Sequence, residues 1–146
     1  MPITSKKTPV IELRKLVKRY GLGDAAISAL DEVDLKINRG EFIAIMGPSG
    51  CGKTTLLNII GLLDRADEGD YLLDGKSVEK LSGSQHAKIR STQIGIIFQS
   101  FNLINRLNVL ENVALPLTYK GIGRIKRFER ASAALKTFHL QEREYY

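Results

Sequence analysis

Nine consecutive residues, GPSGCGKTT at positions 47–55, concentrate three glycines, a lysine and two threonines. Residues of these types at this spacing can hold a polyphosphate. Gly47, Gly50 and Gly52 let the backbone turn so that successive N–H groups point inward around an anion. A helix starting just beyond would add the positive end of its dipole. The Lys53 ammonium can reach the outer phosphates, and the Thr54 hydroxyl can ligate Mg²⁺. Ser49 and Thr55 add hydroxyls on the phosphate side, while Pro48 and Cys51 fill the variable places between. Every position of the pattern G-x-x-x-x-G-K-[ST] is met from Gly47 to Thr54. The chemistry that follows is phosphate binding.

Such a loop works only between a strand and a helix, and the flanks predict both. Phe42–Met46, FIAIM, is a continuous apolar run of the kind a strand buried on both faces carries. After the loop, Leu56, Leu57, Ile59, Ile60, Leu62 and Leu63 suit a buried helix ending near DRADEG, residues 64–69. Upstream, VIELRKLVKRY predicts a first strand. Val33, Leu35 and Ile37 alternate with charged residues in a second, half-buried one. DYLLDG, residues 70–75, predicts an edge strand closed by an Asp-Gly turn. GSQHAKIRS predicts a short helix, and IGIIF, residues 94–98, another apolar strand leading to Gln99. Towards the end, LNVLENVALPLTYKG has helical content that Pro116 would kink or end. Ile125, Phe128, Leu135 and Phe138 recur at helical spacing in the last segment.

The whole composition fits one ordinary globular domain. The 146 residues are 43% hydrophobic and 26% charged, with a single cysteine, Cys51, so no internal disulfide can form. No apolar run approaches the roughly 20 residues a membrane helix needs, and no signal-peptide core opens the chain. These features predict a cytosolic protein. The net charge of +6 is uneven: residues 1–20 carry +5, residues 120–146 carry +4, and the middle is negative. The basic ends are not interleaved with stacking aromatics, so nucleic acid is not expected as a partner.

Taken together, these motifs resemble the nucleotide-binding domain of ATP-binding cassette (ABC) transporters. The resemblance runs from about Val10 to Tyr146. In VKRY followed by SALDEVDLKINRGE it matches the family's N-terminal sheet, with Tyr20 where an aromatic stacks on adenine. GPSGCGKTT is similar to the family's phosphate loop. IGIIFQSFNLI is similar to its Q-loop, with Gln99 approaching Mg²⁺ and the attacking water, and LNVLENV to the start of its helical subdomain. LLNIIGLLD, FQSFNLI and ENVALPLTYKG most resemble the branch serving macrolide export and lipoprotein release. The resemblance implies an α/β P-loop NTPase domain, with the ATP-binding core at about 10–99 and the helical subdomain beginning at about 100–146. It also implies ATP and Mg²⁺ as ligands, an integral-membrane permease and a second nucleotide-binding domain as partners, and a place on the inner face of the cell membrane.

Two segments imitate family motifs in the wrong places. LSGSQ, residues 81–85, differs by one residue from the family signature but precedes Gln99 instead of following it. IIGLLD, residues 59–64, imitates a Walker B strand and its aspartate. Asp64 follows the loop lysine by only eleven positions, so a helix would carry it more than about 15 Å from the phosphates. Neither His86 nor His139 stands where the family's switch histidine would, and both are expected at the surface. The chain therefore offers the cradle without a catalytic glutamate, and the resemblance implies an N-terminal portion of a longer domain. A small-metabolite P-loop kinase, with RIKRFER as a basic lid, and a non-catalytic nucleotide-binding module are the rival readings.

Overall fold

A computed structural model describes residues 8–21, 23 and 26–146. It falls into two compact units, Met1–Ala87 and Lys88–Tyr146. The first is built on a four-stranded antiparallel sheet in the order β2-β1-β3-β4. Its strands are β1 (Ile11–Tyr20), β2 (Ile27–Ile37), β3 (Glu68–Leu73) and β4 (Lys76–Ser77), and helix α1 (Lys53–Ile60) follows the glycine loop.

Both predicted N-terminal strands are present, but β1 does not alternate cleanly. A bulge near Arg14 and Lys15 shifts its register against both neighbours. Lys15 takes φ 46°, and its N–H is held by the Asp34 carboxylate at 3.0 Å. The extra residue turns Leu13 and Leu16 to the same interior, and both are almost fully buried. Opposite the bulge, Gly69 has φ 94°, and a Cβ there would stand 2.4 Å from the Lys15 carbonyl oxygen. Only glycine fits where β3 passes the bulge.

β3 is not the edge strand that its sequence suggested. It pairs with β1 on one side and with β4 on the other. The predicted Asp-Gly turn makes that second pairing possible: Asp74 and Gly75 both have positive φ, 49° and 73°, as a two-residue hairpin requires. Leu13, Leu16, Val17, Leu30, Tyr71, Leu73 and Val78 form the core with Leu56 and Ile59 of α1 and Leu62 beyond it. Each such side chain contributes about 1.5–3 kcal/mol by leaving water. Only one stripe of the predicted helix is buried; Leu57 and Leu63 are exposed, and α1 ends at Ile60, short of DRADEG.

The two apolar runs expected as buried strands are not strands. Phe42–Met46 and Ile94–Phe98 carry no ladder pairing among the described residues. Phe42, Met46 and Ile97 are 95%, 88% and 100% exposed. A strand buried on both faces needs neighbours along both edges, and the four strands described here pair only with one another. The sequence of these runs specifies apolarity, and the missing ingredient is a partner.

In the second unit, helices α3 (Val109–Tyr119) and α4 (Arg124–Thr137) enclose Leu110, Ala114, Ala131 and Leu135, with Val113 and Phe128 against them. Helix α2 (Gly83–Gln93) spans the boundary between the units. α3 starts on a capping box: Asn108 Oδ1 accepts from the Glu111 N–H at 2.8 Å, and Glu111 Oε2 accepts from the Asn108 N–H at 3.0 Å. Pro116 sits inside α3 without ending it. Ile125 and Phe138, expected on the buried stripe of α4, are exposed. Ala131 takes the central position instead, because its small side chain lets α3 approach. No helix among the described residues is long and apolar enough to cross a membrane.

Candidate functional site

The loop is closed around its own lysine. Lys53 Nζ donates to the carbonyls of Gly47 at 2.8 Å and Pro48 at 2.6 Å, and stands 3.5 Å from Cys51 Sγ. The Cys51 N–H turns back on the Pro48 carbonyl at 3.4 Å. Gly50 and Gly52 have φ 80° and 87°. At Gly52 the requirement is double, since a Cβ would also lie 2.2 Å from the Ala29 carbonyl oxygen on β2. The loop is thus pressed against the sheet at the point where α1 begins.

That beginning is left open. No side chain caps Gly52, and no acidic residue stands in the first turn of α1. The unpaired first-turn N–H groups and the positive end of the dipole face outward. Ser49, Cys51 and Thr54 are exposed, and Lys53 and Thr55 are half-buried. A curled backbone, an ammonium anchored at its centre and an uncapped helix start suit a phosphate group. The Thr54 hydroxyl, exposed in the first turn, suits a Mg²⁺ ion accompanying it.

Tyr20 ends β1 and is 45% exposed. Its cross-strand partner is Ile27, two residues from Ala29, which abuts Gly52. Two residues of strand span about 7 Å, so Tyr20 stands within a nucleotide's reach of the loop. Its hydroxyl donates to Asp64 Oδ2 at 3.0 Å. Gln99 belongs to the second unit, exposed in a stretch without helix or strand. The structure therefore joins Gly47, Pro48, Cys51 and Lys53 by hydrogen bonds and sets Tyr20 on the same sheet. Gln99 lies in the other unit.

Both imitations of family motifs have local explanations. In LSGSQ, the Ser82 N–H is held by Gln85 Oε1 at 2.8 Å, and Ser82 Oγ accepts from the Gln85 N–H at 3.3 Å. It is the capping box of α2, for which serine and glutamine three apart are well suited. Asp64 closes the turn after α1. Besides Tyr20, its carboxylate accepts from Lys18 Nζ at 3.2 Å and from the Arg65 N–H at 2.7 Å. Burial would raise the Asp64 pKa, but the Arg65 N–H, the Tyr20 hydroxyl and Lys18 together hold it below the ordinary carboxylate value. For Lys18, burial acts downward and is outweighed by Asp64 and Asp67, which raise it.

His86 corrects the expectation of a surface residue. It is 5% exposed and its Nε2 lies 2.8 Å from the Val78 carbonyl oxygen. Glu79 nearby has its pKa raised by burial, against the partial opposition of His86. His139 is exposed. Lys18 and Asp64 are the functional candidates that the sequence did not reveal as a pair. No alternation flags Lys18, because the bulge in β1 leaves Leu16, Val17 and Lys18 buried in succession.

An ABC transporter family model matches residues 30–145. The uncharacterized ABC transporter ATP-binding protein YknY of Bacillus subtilis is 44% identical over 134 residues, which is 92% of this chain and 58% of that protein. The macrolide export ATP-binding/permease protein MacB of Pasteurella multocida is 43% identical over 87% of this chain and 20% of its own length. Among solved structures, the dimeric post-hydrolysis state of the ATP-binding cassette MJ0796, bound to ADP and Pi, superposes with a TM-score of 0.83 at 44% identity. It is matched over 92% of this chain and 60% of the cassette. The chain thus spans about three-fifths of the length of the single-cassette proteins it matches.

Proposed function

The chain belongs to the ABC transporter family, and on that premise we propose that it forms the nucleotide-binding part of a transporter's ATP-binding subunit. ATP is gripped by the loop Gly47–Thr55 and its adenine stacks on Tyr20; the Thr54 hydroxyl would hold Mg²⁺, and the family resemblance gives Gln99, in the second unit, a role toward the same ion. The observation that carries this reading is the loop itself, closed on Lys53 and continued into an uncapped helix. Lys53 already spends two of its donors on the Gly47 and Pro48 carbonyls, which fixes its charge at the centre of the cradle. When bound, Mg²⁺ would neutralise charge on the outer phosphates.

The partners follow from the same premise. The subunit serves a membrane permease from the cytoplasmic face and meets a second nucleotide-binding domain across ATP. Support comes from relatives: MacB is named as a macrolide export ATP-binding/permease protein, and the MJ0796 cassette was solved as a dimer. The family match leaves a metabolite kinase without support. No acidic residue stands in the first turn of α1 to orient an attacking water, and little turnover is expected of residues 1–146.

Calorimetric titration with ATP–Mg²⁺ tests the proposal. Lys53→Ala removes most of the affinity in a folded protein, and Thr54→Ala weakens binding mainly when Mg²⁺ is present. Equal affinity for wild type and Lys53→Ala would overturn it.

A further inference from the structure

We propose that Asp64 is a positioning residue for nucleotide recognition, fixing the Tyr20 ring as the adenine platform through its hydroxyl and referencing that platform to the phosphate-loop helix. The inference rests on the reading of Tyr20 as the stacking residue and goes beyond it.

A half-exposed tyrosine at a strand end would otherwise turn freely about two side-chain torsions. Here its hydroxyl is held by Asp64 Oδ2 at 3.0 Å. Lys18 Nζ stands 5.4 Å from the ring centroid, over the ring. A cation on one face leaves the other for a base. The cation is itself fixed, because Lys18 Nζ donates to the Arg65 carbonyl at 2.7 Å and to Asp64 Oδ1 at 3.2 Å, and lies 3.5 Å from Asp67 Oδ1. The Asp64 carboxylate is thereby fully committed: one oxygen to the phenol, the other to Lys18 and the Arg65 N–H.

The position of Asp64 on the chain gives this knot its use. The N–H groups of Leu63 and Asp64 both return to the Asn58 carbonyl, at 2.8 and 3.3 Å, so Asp64 is anchored to the C-terminal turn of α1. The other end of α1 is the phosphate loop. One short helix therefore carries the grip on the phosphates at its start and the clamp on the adenine platform at its end. A clamp of this kind acts on the base and leaves the phosphate grip alone. A purely structural ion pair for Lys18 would not distinguish the two.

The test compares affinities for ATP–Mg²⁺ and for inorganic tripolyphosphate in the intact protein that carries this chain. Asp64→Ala weakens ATP about fivefold, the cost of immobilising on binding a ring that the clamp no longer holds, and leaves tripolyphosphate unchanged. Tyr20→Phe, which keeps the ring and every Lys18 contact but loses the hydroxyl, gives the same pattern and serves alone if Asp64→Ala does not fold. In a Tyr20→Ala background, Asp64→Ala has no further effect on ATP. Wild-type ATP affinity in Tyr20→Phe overturns the proposal, as does an equal loss of ATP and tripolyphosphate affinity in Asp64→Ala. If Tyr20→Ala itself binds ATP as wild type does, the stacking reading fails instead.

Discussion

Gly52 is the residue at which the loop tolerates least. Its left-handed φ and the 2.2 Å gap between an added Cβ and the Ala29 carbonyl oxygen act together. Gly52→Ala should cost about 3 kcal/mol, the upper end for a non-glycine residue held in a strained backbone region, read as a fall in the midpoint of denaturant unfolding. Tyr20→Ala should weaken ATP by about 1–3 kcal/mol on the scale of base–aromatic stacking, measured by titration. The Asp64–Lys18 link also carries a pH signature. Asp64 is held below its ordinary value of 3.8, so its contribution to stability is present above that pH and lost as pH falls through the depressed value. Lys18 is held above its ordinary 10.5, so its share is lost as pH rises beyond that. The stability gap between wild type and Asp64→Asn should therefore be widest between these limits and close at both ends, as urea melts across pH would reveal.

At the scale of elements, α3 depends on its first turn. Asn108→Ala removes one half of the capping box and should cost about 1 kcal/mol, whereas Leu135→Ala, between α3 and α4, should cost about 2–5 kcal/mol. Thermal unfolding of the two variants checks the order. The glycine loop, the Asp-Gly hairpin and β2 are legible in sequence, each determined by local backbone needs. What stayed hidden depends on distant neighbours. FIAIM and IGIIF are apolar in composition, but a strand exists only where another strand pairs with it. The burial of His86 depends on Val78, and the use of Asp64 on Lys18 and Tyr20, forty-odd residues earlier in the chain. Proximity of that kind is created by the sheet, and no local pattern announces it.

For the whole molecule, the exposed faces of Phe42, Met46, Ile97 and Phe101 present apolar surface that aggregation exploits. Relatives that match this chain over 92% of its length continue well beyond it. A chain extended to that length should be more soluble than residues 1–146 and release phosphate from ATP where the shorter chain does not. Robust turnover by residues 1–146 alone, abolished in Lys53→Ala, would contradict this. The pairing of β1 with β3 has a kinetic consequence. Joining Val17 to Glu68 ties off a loop of roughly fifty residues, at an entropic cost of about 3.5 kcal/mol. β2, the glycine loop and α1 all lie inside that tie. The β1–β2 and β3–β4 hairpins can form early from neighbouring residues, but the ligand-binding half of the first unit must wait for the β1–β3 pairing to bring them together. In refolding, the capacity to bind a fluorescent ATP analogue should appear with the same rate constant as the sheet's circular dichroism. Gly69→Ala, which sets a methyl group against the Lys15 carbonyl where the two strands meet, should slow both together. Asn108→Ala should slow neither, and a binding phase that outruns the sheet would refute the order.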